Sequence, residues 1–256
     1  MIFLKNRKML IILISTILLV AVAILIFILI NKKEDKIIEQ EINIDVGKLE
    51  NEFNALFNNE ESEYVKTRYL VLDEKSGEFM VNATFPYLDV NTEEARKINK
   101  EIEEVFINKL VRLGDESKVY STFELDYTAE INENILSLMI KCVIKEGRNP
   151  KRTIIKTYNY DLENERKVEL IDLITEEKKV ALQEKIKNKI NQEIKKEEAI
   201  IKQGYNTYRR DINSNIYELS KGTDFYIGTD KIIYIIYSYG NNTYTSEVDL
   251  IIDKIN

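Results

Sequence analysis

Two carboxyl groups suffice to hydrolyse a glycosidic bond, so the chemistry open to this chain starts with its acids. Adjacent pairs abound, among them Glu60-Glu61, Glu93-Glu94 and Glu176-Glu177. The last two fall where helices are predicted to begin, and there a carboxylate is stabilised by the helix dipole. Asp161, Glu163, Glu165 and Asp172 occupy positions 1, 3, 5 and 12 of a calcium-loop spacing. Arg166 stands where that loop needs glycine and Asp172 where it needs a bidentate Glu, so no metal is expected. The sequence contains no histidine. That excludes a Ser-His-Asp triad, a Cys-His pair and any imidazole metal ligand. Cys142 is the only cysteine and lies in the apolar run 136–144. Nothing beside it would generate a thiolate, so it reads as a small buried hydrophobe. No catalytic residue, metal or cofactor is assigned, and the chain is not expected to be an enzyme.

Binding chemistry is better represented. Tyr226, Tyr234, Tyr237, Tyr239 and Tyr244 crowd the C-terminal hairpin region. Tyrosine is ordinary in strands, and some of these are expected to face a core. Tyr237 and Tyr239, with Asn241 and Asn242 of the following turn, are the expected ligand surface, because exposed aromatic and amide groups suit protein or glycan binding. There is no tryptophan to serve as a sugar platform. Arg209-Arg210, the tight arginine pair, is expected to be solvated.

These residues must be positioned by elements, and the first element is an anchor. Residues 9–30 form a 22-residue run without charge, long enough to span a bilayer as a helix. A helix apolar on every face does not suit the surface of a soluble domain. Lys5, Arg7 and Lys8 precede the run, and Lys32, Lys33 and Lys36 follow it among Glu34 and Asp35. This balance favours a cytoplasmic N-terminus and an extracytoplasmic C-terminal domain by the positive-inside rule. Ala21-Val22-Ala23 fits a cleavage pattern, but cutting there would leave Ile24 to Ile30 on the mature end. The expectation is a retained single-pass anchor in the cell membrane with a cytoplasmic tail at 1–8. Beyond residue 30 the chain carries 34 basic and 44 acidic residues, a net charge of −10. Such a domain repels nucleic acid and attracts cationic partners.

A charged stalk is predicted at 31–62 and a folded domain at 63–256, with subdomains possible at 63–146 and 147–256. Period-two patterns place strands at 64–72, 78–85, 119–130, 134–145, 151–160, 225–227, 232–239 and 245–252. Pro86 is expected to close the second strand. Ala95, Ile98, Ile102, Val105, Phe106, Leu110 and Leu113 form a helical stripe, with Asn91 as cap and Gly114 as stop. A second helix follows Thr175, carries Leu182, Ile186, Ile190, Ile194 and Ile201 on one face, and ends at Gly204. The order β-β-α-β-β-β-α-β-β-β predicts an α+β class, with antiparallel sheets each covered by a helix.

Phe85-Pro-Tyr-Leu-Asp89 followed by Ala95-Arg-Lys-Ile-Asn99 resembles the start of an extracytoplasmic domain of unknown function. That domain is shared by RsiV-type anti-sigma factors, which bind lysozyme, and PdaC-type peptidoglycan deacetylases. Tyr158-Asn-Tyr-Asp-Leu162 with Val168-Glu-Leu-Ile-Asp-Leu173 resembles its second half, and Phe225-Tyr-Ile with residues 232–239 its closing hairpin. The resemblance spans 64–256 and marks Pro86, Asn99, Asp161, Asp172 and Phe225. The family's Gly-Gly-Ala-His-like loop is replaced here by Glu146-Gly-Arg-Asn-Pro150. Eight residues before the anchor are not expected to hold a sigma factor, and no second catalytic domain is expected. The resemblance therefore implies a binding or sensing domain for a wall-associated or secreted ligand, such as a basic protein or peptidoglycan, without either known output. A hydrolase using carboxylates alone and a structural subunit of an envelope complex are the alternatives.

Overall fold

Alternation of apolar and polar residues sets the first half of the domain into long strands. The computed structural model describes residues 56–75, 79–116 and 119–254. The predicted tail and anchor, and the predicted stalk as far as residue 55, lie outside the described residues. Among those described, no helix is long and apolar enough to cross a membrane.

The described strands form two sheets. The larger has the order β1-β2-β3-β4-β5-β6: β1 (Val65–Lys75), β2 (Phe79–Leu88), β3 (Ser121–Asn132), β4 (Ile135–Glu146), β5 (Arg152–Asp161) and β6 (Arg166–Lys167). The smaller contains β7 (Phe225–Ile227), β8 (Ile232–Ser238) and β9 (Val248–Lys254). Helix α1 (Glu93–Ile102) continues through a π-helical turn, Glu103–Ile107, into α2 (Asn108–Glu116). A short α3 (Leu170–Leu173) precedes the long α4 (Glu176–Lys202).

The class is α+β, as predicted, but one pairing is parallel. β2 and β3 align in parallel over Phe79–Ala83 and Ser121–Leu125. A parallel pair needs a long crossover, and α1 with α2 provides it. β5 pairs along β4, so the larger sheet continues past residue 146, the boundary given for the possible subdomains.

Local signals were displaced by short distances. Thr92, not Asn91, caps α1, its hydroxyl accepting from the Ala95 amide at 3.2 Å. Helix α2 runs through Gly114 to Glu116, with Gly114 close to the Phe79 ring. Pro86 lies inside β2, not at its end. The Leu88 amide points away from β1 to Asn99, so by alternation the Pro86 nitrogen does too. It falls beyond Ala83, where β3 no longer pairs, and its missing N–H breaks no ladder.

Each helical segment seals one core. Ala95, Ile98, Ile102 and Phe106 are buried with Phe85, Phe123, Leu125 and Tyr127. Leu182, Ile186 and Ile190 of α4 are buried with Phe225, Ile227, Ile233, Ile235 and Ile251. Burying one such side chain contributes about 1.5–3 kcal/mol. Thr175 caps α4 as predicted, and Gly204 follows it with φ +87°.

The smaller sheet's strands and connections close an edge of the larger one. β6 pairs only with Tyr160 and Asp161, so the earlier part of β5 is an edge. Its amides are satisfied from the other layer. Thr153 donates to the Thr245 carbonyl at 3.0 Å, Ile155 to the Ser238 hydroxyl at 3.2 Å and Thr157 to the Asp224 carboxylate at 3.3 Å. Unsatisfied, these groups would invite strand pairing by another chain. Gly240 crosses so closely that a Cβ would lie 2.2 Å from the Thr153 carbonyl oxygen.

Candidate binding surface

The aromatic surface expected at Tyr237 and Tyr239 is not formed, because both side chains are buried, at 8% and 6% exposure. Tyr237 shares the inward face of β8 with Ile233 and Ile235. The Tyr239 ring stacks on Tyr208 with centroids 4.3 Å apart, and its hydroxyl meets that of Tyr217 at 2.8 Å. Asn241 gives its backbone carbonyl to Arg152 at 3.1 Å, while Asn242 is exposed.

Beside these tyrosines lies a charge cluster that the sequence did not disclose. Arg210, expected in solvent, has a side chain only 3% exposed; Arg209 is exposed. Its guanidinium clasps Asp249 with two bonds, of 2.6 and 2.8 Å, and also meets Glu197. Glu247 reaches it from the rim at 3.1 Å. The Arg210 amide donates to Glu197 at 3.2 Å. Burial opposes the charge on Arg210, but the Asp249 carboxylate outweighs it and holds the group above its ordinary pKa. Burial, reinforced by the charge of Asp249, pushes the Tyr239 phenol up, and burial pushes Tyr217 up to about 12. The cluster ties the connection after α4 to both α4 and β9. One signal was available: Glu197 interrupts the apolar stripe of α4 between Ile194 and Ile201.

The positions marked by the resemblance all serve the fold. Asn99 bonds both backbone groups of Leu88, at 2.7 and 2.9 Å. Asp161 accepts from the amides of Glu163 and Asn164 at 3.1 and 3.0 Å, and these bonds hold its carboxyl below the usual range. Its carboxylate thus closes its own turn, and no metal-binding group of acids occurs among the described residues. Asp172 forms a capping box with Glu169 at α3. Phe225 is buried, and its amide and carbonyl are held by Thr157 and Asn159 at 2.9 and 2.8 Å. Cys142 is buried as expected, and desolvation pushes its thiol far up.

Two concavities are open to solvent. One, of about 150 Å³, lies among α1, β5, β6 and residues 221–225. Its lysines Lys156, Lys167 and Lys221 are matched by Glu101, Glu169 and Asp224. Lys156 and Asp224 pair at 3.1 Å, so this cleft is internally neutral.

The other is a shallow trough of about 530 Å³ at the end of the larger sheet. Three chain segments meet there. Glu63 and Tyr64 lead into β1; Ile131, Glu133 and Asn134 come from the β3–β4 turn; Leu162 and Glu163 follow β5. The turn is set by Glu133 at φ +54°. The Leu162 amide donates to the Asn134 carbonyl at 2.8 Å, and the Asn134 side chain donates to Glu163 at 2.6 Å. Tyr64, Ile131 and Leu162 provide apolar area, and Ile131 is 37% exposed. Three carboxylates surround them. Lys231 pairs with Glu133 at 2.5 Å and holds its carboxyl below the usual range. The trough is an amphipathic, net acidic surface. Its acids are separated in sequence and preceded by no motif, so no local pattern announced it.

No family model matches the chain, and no curated protein matches it. Among solved structures, a DUF3298 family protein from Pseudomonas aeruginosa PAO1 is similar at 13% identity, with a TM-score of 0.42, over 78% of this chain and 90% of that one. A member of the same family from Bacteroides fragilis NCTC 9343 is similar at 14% identity, with a TM-score of 0.34, over 71% of this chain and 84% of that one. No residue role is carried over from either.

Proposed function

We propose that this protein is a single-pass, membrane-anchored, extracytoplasmic module that binds a cationic wall-associated or secreted ligand and does not convert it. The observation that carries this reading is the acidic trough, where Glu63, Glu133 and Glu163 surround Tyr64, Ile131 and Leu162. Apolar area gives contact, and the surrounding charge selects sign and speeds encounter. The net charge of −10 beyond residue 30 supports the same sign of partner. The uncharged run 9–30 supports the anchor, and the resemblance to the RsiV and PdaC extracytoplasmic domains supports an envelope ligand.

Titration of the full-length chain with lysozyme, a basic secreted protein, and separately with peptidoglycan fragments tests the reading. Binding to one of them that weakens with added salt, without turnover of the fragments, is expected. Absence of binding to both, or hydrolysis of the fragments, would contradict it.

A further inference from the structure

The trough adjoins a sheet edge whose backbone groups can be followed residue by residue. In the β3–β4 hairpin, Asn132 lies opposite Ile135 across the two-residue turn. Those two residues exchange bonds in such a turn, so the Ile131 amide and carbonyl point away from β4. The other end of the strand gives the same register. The Tyr127 amide donates to the Asn59 side chain at 2.8 Å, and its carbonyl accepts from the Asn59 amide at 3.0 Å. Tyr127 thus points outward, and by alternation Ala129 and Ile131 do too.

β2 pairs with β3 only as far as Leu125. Beyond it, Asn59 takes one place of a neighbouring strand beside Tyr127, anchored also by its side chain on Asp126 at 2.9 Å. Ala129 and Ile131 come next. Their outward amides and carbonyls make no hydrogen bond to any described residue. An edge of this kind is a template for an added strand. Here it ends in the trough, with Ile131 on its floor and Glu63, Glu133 and Glu163 around it.

We infer that the ligand presents an extended, lysine- or arginine-bearing segment that adds as a strand to β3 at Ala129 and Ile131. This rests on the cationic-ligand reading and adds the mode of recognition. Main-chain bonds supply affinity, the apolar floor takes alternate side chains, and the carboxylates select the basic ones. Glu130, on the opposite face of β3, offers a further carboxylate to the intervening side chains.

The probe is a short acetylated peptide alternating lysine and valine. Its control has the same sequence with the β3-facing amides N-methylated, which keeps the charge and removes the donors. Both are titrated against the full-length chain and against Ile131→Pro, which lacks one outward N–H; circular dichroism checks its fold. Hydrogen exchange at Ala129 and Ile131 is followed in parallel. The parent peptide is expected to bind at least about tenfold more tightly than its methylated form, consistent with loss of about two net hydrogen bonds. It should slow exchange at those two amides, and Ile131→Pro, which keeps both outward carbonyls and loses one outward donor, should weaken the parent peptide by about fivefold and narrow its advantage over the methylated form without abolishing it. Equal, salt-sensitive binding of both peptides without slowed exchange would overturn strand addition and leave the cationic-ligand reading standing. No binding of either would overturn both. Slowed exchange in the chain alone, growing with its concentration, would assign the edge to a second copy and overturn the proposal.

Discussion

Arg210 shows how one residue can be placed by partners far away in sequence. Glu197 precedes it by 13 positions, and Asp249 follows it by 39. Nothing local to Arg209-Arg210 says which of the two turns inward. Truncating a buried charge leaves its partners uncompensated, at a cost of about 3–5 kcal/mol. Arg210→Ala is therefore expected to lose about that much stability in denaturant titration, while Arg209→Ala stays within about 0.5 kcal/mol of wild type. A second prediction concerns Asp161. Bonds from Asn164 lead the effects that depress its folded pKa. The stabilisation from its charge is full above the unfolded value of about 3.9 and is lost as pH falls through the lower folded value. Asp161→Asn should thus be less stable than wild type at neutral pH. The gap should shrink in acid as the wild-type carboxyl protonates; a gap independent of pH would contradict this.

At the scale of elements, the sequence was most legible where periodicity was long. The strands of the larger sheet, the stripe of α1 and α2, and the Thr175 and Gly204 ends of α4 follow from residue type and spacing. The two-residue β6 was too short to carry a pattern. The parallel β2–β3 pairing was not legible, because strand direction across a helix is decided by where the helix finds its core. The buried Tyr237 and Tyr239 were misplaced for a related reason. Tyrosine suits either face of a strand, and only the packing of α4 and Arg210 fixes which face is inside. Gly240 gives the sharpest element-level test, since its crossing over Thr153 joins the two sheets. Gly240→Ala is expected to destabilise by about 1–3 kcal/mol through overpacking. Hydrogen exchange should show the Thr153 and Ile155 amides losing protection first, ahead of the β3–β4 ladder.

Across the whole molecule, net charge was readable from composition, but its local arrangement was not. Glu63, Glu133 and Glu163 converge only because the entry to β1, the β3–β4 turn and the turn after β5 reach the same sheet end. Of the five positions marked by family resemblance, Asn99, Asp161, Asp172 and Phe225 hold a turn, a cap and strand ends and Pro86 lies within β2, so they record the fold more than the ligand. The trough is the place where charge, apolar area and an open strand edge coincide. The affinity of the full-length chain for lysozyme, measured beside a variant carrying Glu63→Gln, Glu133→Gln and Glu163→Gln, tests this most directly. Loss of about tenfold or more in affinity, with a weaker salt dependence and unchanged thermal stability, is predicted. Equal affinity of the two proteins would contradict a ligand site in the trough.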